Sequence, residues 1–435
     1  MLKVAFYTLG CKVNQYDTDA MAQIFLEKGY DIVSFDTKAD VYVINTCDVT
    51  NESARKSRQV IRKASRKNPN AEIVVVGCYS QLRPEEVAKI PQVNVVMGTC
   101  DRKKVVDFLE ASRMSGRQII AVKDIMKQDE FEDISSCGFR QKTRAFLKIQ
   151  EGCNMFCSYC IIPYTRGPLK SRNFKSILQE AEILAREGFK EVVLTGIHLG
   201  LYGLDIKDQN FFLLDVIKGI SEIEGIERIR LSSIEAIELT DDFISTLASV
   251  KKFCQHLHVP LQSGSNRILR LMNRRYTTEQ FNKTINIIRQ HMPNASITTD
   301  IIVGFPGETD CDFSKTKSFV KEIQFSRLHV FPFSAREGTS AAQLKQHISK
   351  EIKAERVREL IKIGEILEQG FIDRFIGCTM DVLFEEKVDV STYHGYTGNY
   401  IRVLVCSEED LHNKIKPIKL KERNHTHIIG LLQKV

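Results

Sequence analysis

Residues 151–167, EGCNMFCSYCIIPYTRG, decide the fold of this chain. Cys153, Cys157 and Cys160 have the spacing C-x3-C-x2-C and follow the strand-like run AFLKIQ. Thiolates are soft ligands that suit iron, and a cluster of four irons takes four ligands. Because this loop supplies only three cysteines, one iron would stay open to a small molecule, which a fully ligated cluster cannot bind.

A zinc site, or a group of three core thiols, is the alternative interpretation of this loop. Structural zinc takes four protein ligands, often as two C-x2-C pairs. Cys137 and His198 are the nearest spare ligands in sequence, and neither has the spacing of a zinc knuckle. The sequence therefore favours an iron–sulfur cluster.

Apolar runs alternate with helix-like patterns on the C-terminal side of the loop. With AFLKIQ they form a series of six: EVVLTG, RIRLSS, HLHVPL, SITTDIIVGF and RLHVFPF follow. Strands that alternate with helices build parallel sheets, and a closed barrel of this kind needs eight strands. The series therefore predicts an α/β unit over residues 141–370, an open (β/α)6 partial TIM barrel.

The same alternation occupies residues 1–112, with the apolar runs VAFYTL, VYVINT and EIVVVG. Cys11, Cys47 and Cys78 each stand at the carboxyl end of one of these runs. An open parallel sheet binds its ligands at that edge. A single cysteine in such a place is ordinarily a core residue, but three at equivalent positions favour a second set of ligands.

Residues 113–140 are charged and mixed in pattern, which predicts a linker. Residues 371–435 contain short β-like runs and predict a small C-terminal β-barrel. Its last third is basic, and this stretch is either a solvated strand face or an RNA contact; the residues are Lys414, Lys416, Lys419, Lys421 and Arg423.

Length and composition describe a globular protein of two or three units, with 435 residues that are 43% hydrophobic. No apolar run approaches the roughly 18 residues of a membrane span, and the N-terminus lacks the features of a signal peptide. We therefore expect a cytoplasmic protein with no membrane partner. Its 12 cysteines are interpreted as metal ligands and core thiols, and its net charge of +7 would suit a polyanion.

The cysteine loop, with aromatic Tyr159 just before its last cysteine, resembles the radical S-adenosylmethionine superfamily. The N-terminal motifs GCKVNQYDTD, NTC and GCYSQ resemble the first domain of the methylthiotransferases within that superfamily. The resemblance extends over essentially the whole chain and implies that the C-terminal barrel is a TRAM-like, RNA-binding domain.

This resemblance implies two 4Fe–4S clusters, each with an open iron. One would be held by Cys153, Cys157 and Cys160 and would bind S-adenosylmethionine, the methyl donor and radical source; the other would present sulfur, and its ligands are Cys11, Cys47 and Cys78. It also assigns contacts with S-adenosylmethionine to four residues: Tyr159, Thr195, Gly196 and Gln262. Ordinary turn chemistry is the alternative for residues at these strand ends.

The motifs GCKVNQYDTD and HGYTGNYIRV resemble the branch that methylthiolates C2 of N6-threonylcarbamoyladenosine at position 37 of tRNA. Its implied partners are the tRNA anticodon stem-loop, an external electron donor and a sulfur donor, and a monomer is favoured. Methylthiolation of N6-isopentenyladenosine or of a ribosomal protein aspartate remains open. So does a non-catalytic iron–sulfur protein that binds RNA.

Two arginines and six further cysteines complete the candidates. Arg166 and Arg172 follow the cluster loop and would meet a cofactor carboxylate or an RNA phosphate, or else lie at the surface. The remaining cysteines are interpreted as core or incidental thiols: Cys100, Cys137, Cys254, Cys311, Cys378 and Cys406.

Overall fold

The computed structural model describes residues 1–136, 143–207 and 210–433. Cys137 therefore lies outside the described residues. In the described part of the chain, no helix is both long and apolar enough to cross a membrane.

A six-stranded parallel sheet forms the N-terminal unit. Its strands are β1 Lys3–Thr8, β2 Asp31–Val33, β3 Val41–Thr46, β4 Glu72–Gly77, β5 Val93–Met97 and β6 Ile119–Ala121. Its helices are α1 Lys12–Glu27, α2 Asn51–Lys67, α3 Cys78–Leu82, α4 Pro84–Ala88 and α5 Val105–Ser115. The central strands β3 and β4 are buried along almost their whole length, which explains their nearly continuous apolar sequences.

The strand order β2-β1-β3-β4-β5-β6 places a crevice at one edge of this sheet. The connection that leaves β1 leads to β2 on one side, whereas β3 lies on the other side of β1. Such a reversal of strand order opens a crevice at the carboxyl ends of the two strands. Cys11 follows β1, Cys47 follows β3 and Cys78 follows β4, so the fold delivers all three to that crevice.

Strand β6 differs from the sequence prediction. It pairs with β5 as the sheet's edge strand, although its residues fall in the stretch predicted as a linker. A strand of three residues is too short to show the period-two pattern from which strands are recognised. The N-terminal sheet therefore extends to residue 121.

The middle unit follows Thr143 and contains eight strands. They are β7 Arg144–Lys148, β8 Gln150–Glu151, β9 Lys170–Ser171, β10 Glu191–Thr195, β11 Arg228–Leu231, β12 His256–His258, β13 Ser296–Val303 and β14 Arg327–Pro332. Its helices are α6 Ile162–Arg166, α7 Phe174–Arg186, α8 Leu213–Ser221, α9 Asp241–Ser249, α10 Asn266–Leu271, α11 Thr278–His291, α12 Asp310–Ile323 and α13 Lys350–Asp373.

Six of these strands form an open arc in the order β7-β10-β11-β12-β13-β14, all parallel. Two three-stranded sheets make up the arc, and the backbone N–H of Cys254 joins them by donating to the Ile229 carbonyl over 2.8 Å. The predicted partial barrel is thus confirmed, with β7 and β14 as its edges.

The two faces of the arc differ in chemistry. Along each strand, alternate apolar side chains such as Leu147, Ile229 and Leu257 join the core packed against the helices. Side chains alternate in direction along a strand, so the intervening residues face the interior of the arc. Most of these are polar, and we call the following set the arc interior: Arg144, Glu191, Arg230, His256, His258, Asp300 and His329.

Residues 379–432 form a closed five-stranded barrel, as predicted, in the order β15-β16-β17-β19-β18. Its strands are β15 Thr379–Lys387, β16 Thr392–Thr397, β17 Arg402–Cys406, β18 Ile415–Asn424 and β19 His427–Leu432. It contacts the amino ends of the arc strands, where Arg228 donates to the carbonyls of Tyr396 (2.9 Å) and Asp381 (2.7 Å). One end of the arc is therefore covered by the C-terminal barrel.

Candidate cluster-binding site

The three N-terminal cysteines converge at the crevice of the parallel sheet. A side chain at Gly10 would come within 3.0 Å of the Cys47 Sγ, so the loop that carries Cys11 lies directly against Cys47. Burial, and after it the nearby thiols of Cys78 and Cys11, raise the pKa of Cys47 to about 12. A thiol with such a pKa stays protonated at neutral pH unless a cation is bound beside it. This donor set fits a metal centre that several thiolates share.

The second set lies in the loop between β8 and α6. Burial, and after it the thiols of Cys157 and Cys153, raise the pKa of Cys160 to about 12, although the backbone N–H of Ile162 opposes them. Cys160 also donates its backbone N–H to the Cys157 carbonyl at 2.9 Å, which turns the loop back on itself. The loop therefore holds its three predicted ligands together, with Cys157 buried and Cys153 and Cys160 partly exposed.

Neither triplet has the geometry of a single-ion site. Among residues 1–136, 143–207 and 210–433, no three His, Cys, Asp or Glu side chains form a group that could hold one metal ion. A cluster of four irons spreads its ligands over separate irons, so its thiolates stand further apart than those around one zinc.

The cluster loop is anchored at both ends. Ser158 donates its backbone N–H to the Met272 carbonyl at 3.0 Å and its hydroxyl to the Leu271 carbonyl at 2.7 Å. At the other end, Gly152 adopts a left-handed φ of +74°, and a Cβ atom there would overlap the Pro168 carbonyl oxygen. Glycine is therefore the residue that this close backbone approach requires.

The substitution Gly152→Ala is expected to remove the iron bound by the cluster loop, because the overlap falls on backbone that cannot rotate away. Gly188→Ala is the matched control: Gly188 has a similar φ of +88°, but no atom lies within 4 Å of the place that its Cβ would take. The control incurs only the left-handed strain, about 1–2 kcal/mol. Iron per chain after anaerobic reconstitution measures the difference, and full iron content in Gly152→Ala would contradict the expectation.

Cationic side chains contact three of the six thiols. His198 Nδ1 lies 3.6 Å from the Cys153 Sγ, and Arg274 donates to the Cys157 Sγ at 3.6 Å. Arg166 donates to Cys78 and partly offsets the effect of burial, which raises the pKa of that thiol. Positive charge at these positions favours thiolates and therefore metal binding.

These cations are themselves held by carboxylates. His198 pairs with Glu238, and Arg274 pairs with Glu235. Burial lowers the pKa of His198, but the contacts with Cys153 and Glu238 outweigh it and raise the pKa to about 10. Cysteine spacing in the sequence did not reveal these partners, because they come from segments distant in sequence from the loop.

Two predicted cofactor positions lie at the end of β10. Thr195 is buried, and its carbonyl accepts the backbone N–H of Ile149 at 3.0 Å. A Cβ atom at Gly196 would come within 2.8 Å of the Gln150 Oε1, which accepts the backbone N–H groups of Ile197 and His198. Gly196 therefore has no room for a side chain toward Gln150.

The other two predicted cofactor positions lie on separate loops. Gln262 has a left-handed φ of +67°, and its backbone bonds with Asp300 (2.8 Å) and Ile302 (2.9 Å) hold it in this conformation. Strained non-glycine residues of this kind cluster at ligand sites. Tyr159 packs beside a small apolar cluster that includes Met272 and Phe305.

The two cysteine triplets lie in neighbouring segments. Helix α3, which begins at Cys78, packs against α6, which follows the cluster loop. Thr99 donates its hydroxyl to the Thr165 carbonyl at 2.5 Å across this contact. The charge of Arg166 on α6 acts on Cys78 and on Cys11. The fold therefore brings both triplets near one contact between the N-terminal and middle units.

Both arginines after the cluster loop are buried and form ion pairs with protein carboxylates. Arg166 is 1% exposed and pairs with Asp17 and Glu151, and Arg172 is 2% exposed and pairs with Glu180. Surface exposure is wrong for both, and their guanidinium groups are already bound by protein carboxylates. Among the incidental cysteines, Cys254 is buried, Cys100 is partly exposed, and three are exposed: Cys311, Cys378 and Cys406.

Comparison with known proteins agrees with this architecture. Residues 3–98 match a family described as uncharacterized protein family UPF0004, and residues 147–320 match the radical SAM superfamily. A solved structure of the radical S-adenosylmethionine methyltransferase TsrM from Kitasatospora setae, with cobalamin and a 4Fe–4S cluster bound, superposes with a TM-score of 0.58. It is 13% identical, and the match covers 78% of this chain and 74% of that one, so it shows the fold alone. Fold and cysteine loop together define a radical S-adenosylmethionine enzyme.

Similarity at the level of sequence extends over the whole chain. Threonylcarbamoyladenosine tRNA methylthiotransferase MtaB of Bacillus subtilis (strain 168) is 44% identical over 100% of this chain and 97% of its own length. MtaB of Aquifex aeolicus (strain VF5) is 42% identical over 93% of this chain and 100% of its own length. The tRNA-2-methylthio-N(6)-dimethylallyladenosine synthase of Clostridium tetani (strain Massachusetts / E88) is 33% identical over 95% of this chain and 92% of its own length. The chain belongs to the radical S-adenosylmethionine methylthiotransferase family, in its MtaB branch.

Proposed function

We propose that this chain transfers a methylthio group to C2 of N6-threonylcarbamoyladenosine at position 37 of tRNA. One observation carries the proposal: two separate sets of three cysteines lie near the contact between α3 and α6. One such set is enough for S-adenosylmethionine chemistry, so the second needs another task. The MtaB relatives, at 42% and 44% identity, support sulfur insertion into this base as that task.

Each cysteine set is proposed to hold one 4Fe–4S cluster with an open iron. Their ligands are Cys153, Cys157 and Cys160 for the first, and Cys11, Cys47 and Cys78 for the second. When bound, the clusters and S-adenosylmethionine supply the radical that removes hydrogen from an unactivated carbon, and the sulfur and methyl group that replace it. The chain contributes the cationic contacts that favour the thiolates, from His198 and Arg274 in the first set.

The proposed contacts with S-adenosylmethionine come from the ends of the arc strands, the edge where parallel α/β units bind ligands. Thr195 is the last residue of β10 and Gly196 follows it, and the strained backbone of Gln262 follows β12. Tyr159 would pack against the cofactor from the cluster loop itself.

The tRNA anticodon stem-loop is the proposed partner, and the basic strand β18 of the C-terminal barrel supports phosphate contacts. Its cations include Lys416, Lys419 and Lys421. An external electron donor and a sulfur donor complete the reaction. We further propose that the enzyme acts as a cytoplasmic monomer.

Nucleoside mass spectrometry of tRNA tests the function. Cells that lack the gene should contain N6-threonylcarbamoyladenosine without its 2-methylthio derivative, and a plasmid copy should restore the derivative. The reconstituted enzyme should give the same product on an anticodon stem-loop in vitro. A plasmid copy with Cys406→Ala, which removes an exposed thiol, should restore it equally well.

Other outcomes would separate the alternatives. A 2-methylthio product only on isopentenyladenosine would move the chain to the other tRNA branch. A loss of methylthioaspartate from a ribosomal protein would indicate the protein-modifying branch. Iron–sulfur clusters with no 5′-deoxyadenosine under reducing conditions would indicate a non-catalytic RNA-binding protein.

A further inference from the structure

Helix α2 concentrates positive charge on the N-terminal unit. Its 17 residues include seven cations and one carboxylate, Glu52, so the helix has a net charge of +6, whereas the whole chain has +7. Arg58, Arg62 and Arg66 follow one another at four-residue spacing, where like charges on a helix repel. The stability of the helix therefore does not explain this composition, which fits a polyanionic partner.

The exposed cations of α2 lie on the face that points away from the sheet. Ala54, Ile61 and Ala64 are buried in the core that covers the sheet. Five exposed cations occupy the opposite side of the helix, and we call this set the basic face: Arg55, Lys56, Arg62, Lys63 and Arg66. With the rise of an α-helix, the basic face extends over about 16 Å. It is therefore one continuous, positively charged surface.

Nearby carboxylates balance only part of this charge. Glu52 and Asp36 lie 2.5 and 3.1 Å from cations of the basic face. Arg62 and Arg66 form no ion pair with a carboxylate in residues 1–136, 143–207 or 210–433. Arg66 Nε donates to the backbone carbonyl of Arg62 at 3.3 Å, which leaves the charge of both guanidinium groups unpaired. An anion from outside the chain can therefore bind both groups without displacing a protein carboxylate.

Helix α2 packs directly against the segment that carries Cys47. The Ser57 hydroxyl donates to the Cys47 carbonyl at 3.1 Å, and it accepts the Cys47 backbone N–H at 3.3 Å. Arg62 and Arg66 follow Ser57 in the same helix and lie about 8 and 14 Å further along its axis. Position 37 lies beside the anticodon stem, so a base bound at the cysteine crevice would bring the phosphates of the stem-loop toward the basic face.

The basic strand β18 differs from α2 in position and in pairing. Lys416 lies 3.6 Å from Glu409, and Arg423 lies 2.6 Å from Asp373. The barrel that contains β18 contacts the amino ends of the arc strands, whereas Cys47 follows the carboxyl end of β3. Of these two basic surfaces, α2 is the one that touches a proposed cluster ligand.

We propose that the basic face of α2 binds the phosphate backbone of the tRNA anticodon stem-loop, with Arg62 and Arg66 as its unpaired contacts. The inference rests on the proposed function and adds a surface that receives the RNA. Guanidinium groups bind phosphate oxygens in pairs, and each such contact releases counterions from the RNA. Backbone contacts fix the position of a nucleic acid without reading its sequence. The basic face would therefore hold the stem-loop while the modified base enters the crevice.

The test measures RNA binding separately from the chemical steps. Fluorescence anisotropy with the reconstituted enzyme and a labelled anticodon stem-loop gives Kd at several salt concentrations. The double substitution Arg62→Gln and Arg66→Gln should raise Kd about 10-fold near physiological salt, because two phosphate contacts are lost. For the same reason, the slope of log Kd against log salt concentration should fall by about 1–2.

Two other double variants serve as controls. Arg62→Lys with Arg66→Lys keeps the charge and should stay closer to the wild-type Kd than the glutamine variant does. Arg186→Gln with Lys218→Gln removes two charges from exposed positions on α7 and α8 and should bind RNA as the wild type does. Iron content and 5′-deoxyadenosine formation without RNA should be unchanged in all variants. With the glutamine variant of α2, KM for the RNA should rise, whereas kcat at saturating RNA should equal that of the wild type.

Two results would overturn the inference. An unchanged Kd and salt slope in the Arg62→Gln and Arg66→Gln variant would mean that the basic face is only a solvated surface, and the proposed function would stand. An equal loss of affinity in the control on α7 and α8 would mean that net charge, and not this face, governs binding.

Failure of the proposed function would look different. The wild-type enzyme would then give no methylthio product on a stem-loop that it binds. Binding that still depended on Arg62 and Arg66 in that case would support the basic face as an RNA-binding surface and refute only the assigned reaction.

Discussion

Replacement of Cys78 by alanine is expected to abolish methylthiolation while S-adenosylmethionine cleavage continues, whereas Cys157→Ala is expected to abolish both. The reason is the separation of the thiols into two sets, one on the N-terminal sheet and one on the arc. Cys78 belongs to the set proposed to present sulfur, and Cys157 to the set proposed to bind S-adenosylmethionine. Product loss should be complete within detection, because each variant lacks one of the three proposed ligands of a cluster.

Two measurements check this pair. Anaerobic incubation with dithionite and S-adenosylmethionine should yield 5′-deoxyadenosine with Cys78→Ala and none with Cys157→Ala. If each set holds one cluster, iron should fall from about eight to about four per chain in each variant. Cys254→Ala removes a buried thiol outside both sets and serves as the control for packing loss.

Two patterns would contradict the division of tasks. Methylthio product from Cys78→Ala would mean that the N-terminal set is structural. Loss of 5′-deoxyadenosine in Cys78→Ala, with iron retained on the cluster loop, would mean that the two sets act as one centre.

Much of the site could be predicted because its residues follow a local rule. Cys153, Cys157 and Cys160 lie in one loop, so their spacing is visible in the sequence. Cys11 and Cys78 are far apart in the chain, but each follows a strand of a parallel sheet, and such strand ends meet at one edge. The sheet topology therefore brings Cys11, Cys47 and Cys78, which are distant in sequence, to one edge of the sheet.

The partners of these residues follow no local rule. His198 and Arg274 reach the cluster loop from segments 45 and 117 residues away from the cysteines they contact, so the cysteine spacing does not reveal these contacts. The polar arc interior could be predicted from the alternation of apolar and polar residues in HLH and RLHV. In β12, Leu257 packs in the core, so His256 and His258 face the arc interior.

The burial of Arg166 and Arg172 could not be predicted from their charge. An arginine just after a cluster loop suits a phosphate or a surface equally well, and burial decides between such roles. Here Asp17 comes from α1 of the N-terminal unit, 149 residues from Arg166, and the pair forms only when the two units meet. The network also contains Arg102 and Lys148, which both contact Asp17.

The substitution Arg166→Met is therefore expected to destabilise the contact between the N-terminal and middle units by about 3–5 kcal/mol, the typical effect of removing one partner from a buried ion pair. Arg166 contacts Asp17 over 2.7 Å, Glu151 and Asn14, and all three acceptors are buried. The methionine fills a similar volume but leaves these acceptors with one donor fewer. Urea unfolding of the cluster-free protein isolates this effect from metal loss.

Arg55→Met provides the comparison, because it breaks an ion pair with Glu52 on the surface of α2, where both side chains are more than half exposed. Its urea midpoint should match that of the wild type, since solvent screens exposed pairs. Asp17→Asn keeps the shape of the side chain and removes the charge, so it should lower the midpoint as Arg166→Met does. Equal midpoints for Arg166→Met and Arg55→Met would show that the buried network adds nothing to the contact, and the two cysteine sets would then need another means of being held near each other.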